Sequence, residues 1–305
     1  MPDQLILLCP GQGAQKVGMG EAWFQNSAAS RVIFEKADDL LGDSLGLPLS
    51  QICFKDPQSK INQTNISQPA IYTCSIAAWH GLRDKGLVGE IKATAGLSLG
   101  EYTALHLAGA FTFEEGVSLV ARRGELMQEA AEKQPSTMVA VMGDDSLIIN
   151  LCDEVRENDV LVPANFNAPG QIVLSGSVEA CQRVAEQASG HGLRATPLSV
   201  AGAFHSSFMA SAAVYMAEAL ADIKFSSLSA DVWSNVSASL HTPEMIKERL
   251  VEQITAPVRW TQSCKSMTSQ YDACSWHELA PSGVLRGLMR RIERSVKVQT
   301  HDEPK

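Results

Sequence analysis

Apolar and polar positions alternate along this chain with two different periods, and the switches between them divide it into elements. Leu5-Ile6-Leu7-Leu8-Cys9 is an unbroken apolar run, the pattern of a strand covered on both faces of a parallel sheet. Residues 21–41 carry Trp23, Phe24, Val32, Ile33, Ala37 and Leu40 at helical spacing, so one helix is predicted there. Residues 48–64, with Pro, Asp, Ser and Asn, read as a looser connection. Ala70–Leu82 reads as a buried helix with Pro69 near its first turn. Ile91–Ala95 is a second strand, Glu101–Ala108 a helix ending at Gly109, and Glu114–Glu132 a longer helix.

From about Gln134 the texture shifts. Met138–Met142 reads as a strand, Leu147–Arg156 as a helix, and Val160–Ala164 and Gln171–Ser175 as strands. The last two are joined through the turn-rich Asn165-Phe166-Asn167-Ala168-Pro169-Gly170. Val178–Ser189 is a helix and Arg194–Val200 a strand. This β-α-β-β-α-β order is that of a ferredoxin-like unit, so residues 133–199 are read as a small subdomain inserted into a larger one made of 1–132 and 200–305. Ser206-Ser207 is placed to cap a helix running to about Asp222. A strand at Val232–Asn235, helices at Pro243–Gln253 and 261–270, a strand at Trp276–Leu279 and a basic helix at Val284–Arg291 follow. His301–Lys305 reads as a frayed tail.

Composition narrows the classes. The 305 residues are 45% apolar and 19% charged, an ordinary globular balance with ample core. A net charge of −9 without a basic run argues against a nucleic-acid binder. Seven scattered cysteines without a CxxC read as free thiols in a reducing compartment, and no metal-ligand spacing is present. With Asp3 ahead of only a five-residue apolar run, no signal peptide is expected, and no run approaches membrane-spanning length. A cytoplasmic protein is the expectation.

Chemistry concentrates at Gly96-Leu97-Ser98-Leu99-Gly100, between a strand and a helix. GxSxG alone arises by chance in about one chain in ten of this length. The strand before and the helix after make it a nucleophile elbow, with Ser98 raised at a helix N-terminus where N–H groups favour an oxyanion. Pro10-Gly11-Gln12-Gly13 suggests a dinucleotide loop, but the third glycine would fall at Lys16, so that reading fails. A loop whose backbone approaches the sheet's carboxyl end, with Gln12 offering an N–H, is the better reading. Carboxylates lie between Ser98 and His205, so spacing leaves a Ser-Asp/Glu-His triad open.

Taken together, PGQGAQ at 10–15, GLSLGEY around Ser98, RRGELMQEA around Arg123 and GAFHSSFM around His205 resemble the acyltransferase family of fatty-acid and polyketide synthesis. Within it, malonyl-CoA:acyl carrier protein transacylases are the nearest pattern. NFNAPGQIVLSG at 165–176 and Gln253 before APVRW add to the resemblance, which spans Pro10 to Pro281. It implies an α/β fold, a large α/β-hydrolase-like domain with a mostly parallel sheet carrying the ferredoxin-like subdomain. It also implies ping-pong transfer of malonyl from malonyl-CoA to holo acyl carrier protein through a malonyl-Ser98 ester.

In that scheme His205 is the base, and a backbone carbonyl near Gln253 orients it. The N–H groups of Leu99 and Gln12 form the oxyanion hole. Arg123, Phe204 and Gln253 face the substrate. Only the resemblance selects Arg123 over Arg122, since adjacent basic residues usually mark a solvated helix face. No metal and no cofactor beyond the acyl-CoA substrate is implied, and a monomer is expected. The arginines 286, 290, 291 and 294 are candidates for meeting an acidic carrier protein. Two departures stand out: Leu97 replaces the family's usual histidine, and Ala280-Pro281-Ser282-Gly283 replaces its glycine-rich turn. The rival readings are a serine thioesterase or esterase, a transferase of another acyl group, and a catalytically idle docking module.

Overall fold

The computed structural model describes residues 4–87 and 89–304; Asp3 and Lys305, which enter the readings of the two ends, lie outside them. β1 (Gln4–Cys9) is followed by α1 (Glu21–Asn26), α2 (Ala28–Leu41), α3 (Leu49–Lys55) and α4 (Thr64–Asp84). β2 (Glu90–Gly96) then leads into α5 (Gly100–Leu107) and α6 (Phe113–Lys133). A second set comprises β3 (Ser136–Met142), α7 (Asp145–Arg156), β4 (Leu161–Ala168), β5 (Gln171–Ser177), α8 (Val178–Gln187) and β6 (Arg194–Pro197). The chain returns through α9 (Ala210–Ala219), β7 (Asp231–Trp233), α10 (Pro243–Gln253) and α11 (Trp260–Gln270). It ends with β8 (Ser275–Leu279), α12 (Val284–Ile292) and β9 (Val298–His301).

The larger sheet has the order β7-β2-β1-β8-β9, and every neighbouring pair in it is parallel. β1 lies at its centre, which is why Leu5 to Cys9 are all apolar and buried. The second sheet, β4-β5-β3-β6, is antiparallel throughout. Its strands alternate sides: Val139, Val141, Ile172 and Leu174 pack with α7 and α8, while Met138 and Val173 join the main core. The two units are stitched together where Phe166 N–H donates to the Val258 carbonyl and Val258 N–H to Ala164. The chain is therefore α/β, a parallel sheet with an antiparallel one beside it.

Several elements differ from the pattern reading, each for a local reason. Residues 21–41 form two helices, because Ser27 adopts an extended backbone and its hydroxyl accepts from Ser30 N–H, capping α2. The connection at 48–64 contains α3, built on buried Leu49, Ile52 and Cys53. α4 begins at Thr64, so Pro69 sits inside it; the lost backbone bond is outweighed by nearly continuous burial from Ile66 to Ala78. β4 runs on to Ala168, leaving only Pro169-Gly170 as the turn; two register shifts break its alternation and disguise the strand. β6 stops at Pro197, three residues short of Val200. Ser206 caps a 3-10 turn at Ser207–Met209, and α9 starts only afterwards. His301, expected in a frayed tail, closes β9 at the sheet edge, buried against His277, with Trp23 donating to its carbonyl.

Candidate active site

Ser98 has φ +53°, a left-handed backbone that costs a non-glycine residue on the order of 1–3 kcal/mol. Its surroundings over-determine that strain. A Cβ on Gly96 would lie 1.8 Å from the Gly100 carbonyl carbon, and one on Gly100 would lie 2.1 Å from the Cys9 carbonyl oxygen. Both glycines are therefore required by space. The Asn235 side chain pins the turn from behind, its Oδ1 accepting from Ser98 N–H at 2.6 Å and its Nδ2 donating to the Gly96 carbonyl at 2.7 Å. Asn235 has no local signal in the sequence, since it lies 137 positions away.

His205 reaches the serine from the loop between β6 and α9, also with positive φ, +59°. Its Nε2 lies 2.8 Å from Ser98 Oγ and its Nδ1 2.8 Å from the Gln253 carbonyl oxygen. A carbonyl can only accept, so Nδ1 carries the hydrogen and Nε2 is left as acceptor for the serine proton. Burial, reinforced by the nearby Arg123 charge, lowers the imidazole pKa to about 4 against the opposing pull of the Gln253 carbonyl. The free imidazole is thus neutral, the form a base needs. The position opposite Ser98 on the ring is taken by this carbonyl and not by a carboxylate, so the triad left open by spacing is not the arrangement found.

Arg123 on α6 is 1% exposed. Its Nη1 donates to Gln68 Oε1 at 2.7 Å; its Nη2 donates to Gln253 Oε1 at 2.9 Å and to Ser98 Oγ at 3.1 Å. The guanidinium lies 5.5 Å from the Tyr102 ring centre, its Nε has no partner, and it forms no ion pair among the described residues. A buried cation held only by neutral groups is costly. It is also suited to receive a carboxylate. Arg122, its neighbour, is exposed and pairs with Glu125 on the surface.

These groups form the floor of a cleft of about 320 Å³ between the two sheets. Met127, Met138, Val173 and Val200 supply apolar wall, and Gln12, Asn165, Asn167 and Gln171 supply polar atoms. Phe204 is 6% exposed and narrows the cleft beside His205. Leu97 also faces it. Leu99 N–H and Gln12 N–H donate to no other group among the described residues, and the Gln12 side chain is held by Thr64 Oγ1.

Gln253, expected at the substrate, is instead fully buried outside the cleft lining, its amide spent between Arg123, the Ser98 carbonyl and Glu101. Gln68 and Asn235 were not singled out by sequence. No group of three or more His, Cys, Asp or Glu side chains is placed to hold a metal among the described residues. A larger groove of about 660 Å³ runs along Arg286, Arg290, Arg291, Arg294 and Lys297, but no Ser, Cys or His lines it.

Residues 6–298 match the acyl transferase domain family. Among characterised relatives, the malonyl CoA-acyl carrier protein transacylase of Bacillus subtilis is 36% identical over 306 residues, covering 99% of this chain and 94% of the relative. Among solved structures, the malonyl CoA-acyl carrier protein transacylase of Coxiella burnetii superposes with a TM-score of 0.93 at 32% identity, covering 99% of this chain and 95% of that one. A malonyl-transacylase solved in complex with its type II polyketide acyl-carrier protein gives 0.92 at 33% identity, with 99% and 96% covered.

Proposed function

The chain belongs to the acyl transferase family of malonyl CoA-acyl carrier protein transacylases, and on that footing we infer how its residues carry the reaction. The enzyme moves a malonyl group from the thiol of coenzyme A to the phosphopantetheine thiol of acyl carrier protein, by two half-reactions through a serine ester. Ser98 Oγ attacks the thioester carbonyl while His205 Nε2 takes its proton. The tetrahedral oxyanion is received by the N–H groups of Leu99 and Gln12. As the C–S bond breaks, His205 returns the proton to the departing sulfur, leaving malonyl-Ser98. The carrier thiol then gives its proton to His205, attacks the ester, and restores Ser98. No metal or redox cofactor enters these steps.

The observation that carries the malonyl assignment is Arg123. Buried, charged and without a carboxylate partner, it stands beside the nucleophile and replaces the hydration a malonyl carboxylate loses on entry. Phe204 lines the wall beside His205, and we infer that its bulk disfavours an α-methyl branch on the acyl group. A serine esterase would need Ser98 and His205 equally, but has no use for the buried cation. The working form we propose is a monomer. A reducing cytoplasm suits its seven unpaired cysteines, and no helix among the described residues is long and apolar enough to cross a membrane.

Arg123→Ala tests the assignment. Two charge-assisted bonds lost should lower loading from malonyl-CoA by on the order of 100-fold or more, and acetyl-CoA should be loaded at least as well as malonyl-CoA. Retained malonyl preference would show that another group binds the carboxylate.

A further inference from the structure

Behind the elbow lies a polar cluster that the transfer itself never touches. Glu101, in the first turn of α5, is fully buried, and so is its partner His241. Glu101 Oε1 accepts from His241 Nε2 at 2.5 Å, while Oε2 accepts from Gln253 Nε2 at 2.5 Å and from Asn235 N–H at 3.3 Å. His241 Nδ1 has no partner, so the ring serves Glu101 alone. A buried carboxylate with three donors and no substrate contact is expensive unless it organises something.

What it organises is visible in the Gln253 amide. Arg123 only donates and a carboxylate only accepts, so a single orientation satisfies both: Oε1 toward Arg123, Nε2 toward Glu101. The same residue's backbone carbonyl fixes His205, and its Nε2 also holds the Ser98 carbonyl. Glu101 grips Asn235 as well, whose side chain clamps the Ser98 peptide. One carboxylate therefore ties the elbow, the end of α10 and the turn after β7 into a single frame. Its charge also favours the charged form of Arg123, and the Gln253 amide bridges the two side chains.

We propose that Glu101, clasped by His241, is a positioning residue for the transfer: by holding Gln253 it sets Arg123 for the acyl carboxylate through the side-chain amide and His205 for the serine through the backbone carbonyl. The proposal rests on the malonyl transfer inferred above. In Glu101→Gln the new amide cannot accept from both His241 and Gln253 through equivalent oxygens, so the Gln253 amide loses its fixed orientation.

The test is single-turnover loading from malonyl-CoA and from acetyl-CoA, with serine sites counted by a phosphonofluoridate label and folding followed by melting. Glu101→Gln should load malonyl on the order of 100-fold more slowly, the penalty of misplaced reacting groups. Acetyl should suffer less, because it makes no use of Arg123, so the malonyl-to-acetyl ratio should fall about tenfold. His241→Leu should lower the ratio in the same direction, and His241→Gln, which keeps a side-chain N–H for Glu101, should restore it. A folded Glu101→Gln variant with an unchanged ratio overturns the proposal, whether both rates fall together or neither falls. Should Glu101→Gln not melt cooperatively, the His241 pair decides, and equal ratios in the Leu and Gln variants overturn it. Wild-type enzyme that loads acetyl but not malonyl would instead refute the malonyl reading, and this inference with it.

Discussion

His205 holds its hydrogen on Nδ1 because the Gln253 carbonyl opposite can only accept, and this fixes how activity depends on pH. Protonation of Nε2 removes the base. With the free-enzyme pKa lowered to about 4 by burial and by Arg123, the neutral form persists well below the usual histidine range. kcat/KM for malonyl-CoA should stay flat from pH 8 to about 5 and fall only as pH approaches 4. In Arg123→Ala, measured with acetyl-CoA, the break should move upward, since the repelling charge is gone. A wild-type break near the ordinary value of about 6.5 would contradict this account. Stability shifts with the same group: the folded pKa lies below the unfolded one, so the unfolded chain binds more protons between about pH 6.5 and 4. Stability contributed by neutral His205 is present above 6.5 and is lost as pH falls through that window.

At the scale of elements, α12 links the cleft to the surface. Its N-terminal N–H groups are capped from β8: Glu278 accepts from Leu285 N–H at 2.8 Å and from Arg286 N–H at 2.7 Å. Burial raises the Glu278 carboxyl to about 7 despite those bonds. Val284 and Leu288, one turn apart, face the cleft. Arg286, Arg290 and Arg294 repeat at the same four-residue interval along the basic groove. Arg291 lines the groove as well, but its guanidinium donates to the Pro169 carbonyl and Gln171 Oε1 and so holds the β4–β5 turn against α12. On a chain of net charge −9, this groove is where we propose an acidic carrier protein docks. Reversing Arg286 and Arg290 to Glu should raise KM for holo acyl carrier protein about tenfold and flatten its salt dependence. An unchanged KM would remove the groove from the docking surface.

Across the whole molecule, what could be read from sequence was what local pattern encodes. β1 showed as a continuous apolar run because it is covered on both faces, and the elbow showed because its glycines are sterically required. The β-α-β-β-α-β succession appears in the antiparallel sheet at 136–197. What escaped depends on partners distant in the chain. Ser98 is pinned by Asn235 and Arg123 is held by Gln68, 55 positions away; no spacing announces either. Spacing does not separate Arg123 from Arg122; only the resemblance picks Arg123, and the fold buries it while leaving Arg122 exposed. β9 was missed because a four-residue edge strand has too few apolar positions to show a period.

In the mechanism we propose, Ser98 carries malonyl between two thiols. Intact-protein mass after brief mixing with malonyl-CoA, followed by a chase with holo acyl carrier protein, tests it directly. One malonyl adduct is expected on the wild-type protein, none on Ser98→Ala, and clearance onto the carrier far faster than by water alone. An adduct that survives in Ser98→Ala, or one lost to water as quickly without the carrier as with it, would contradict it.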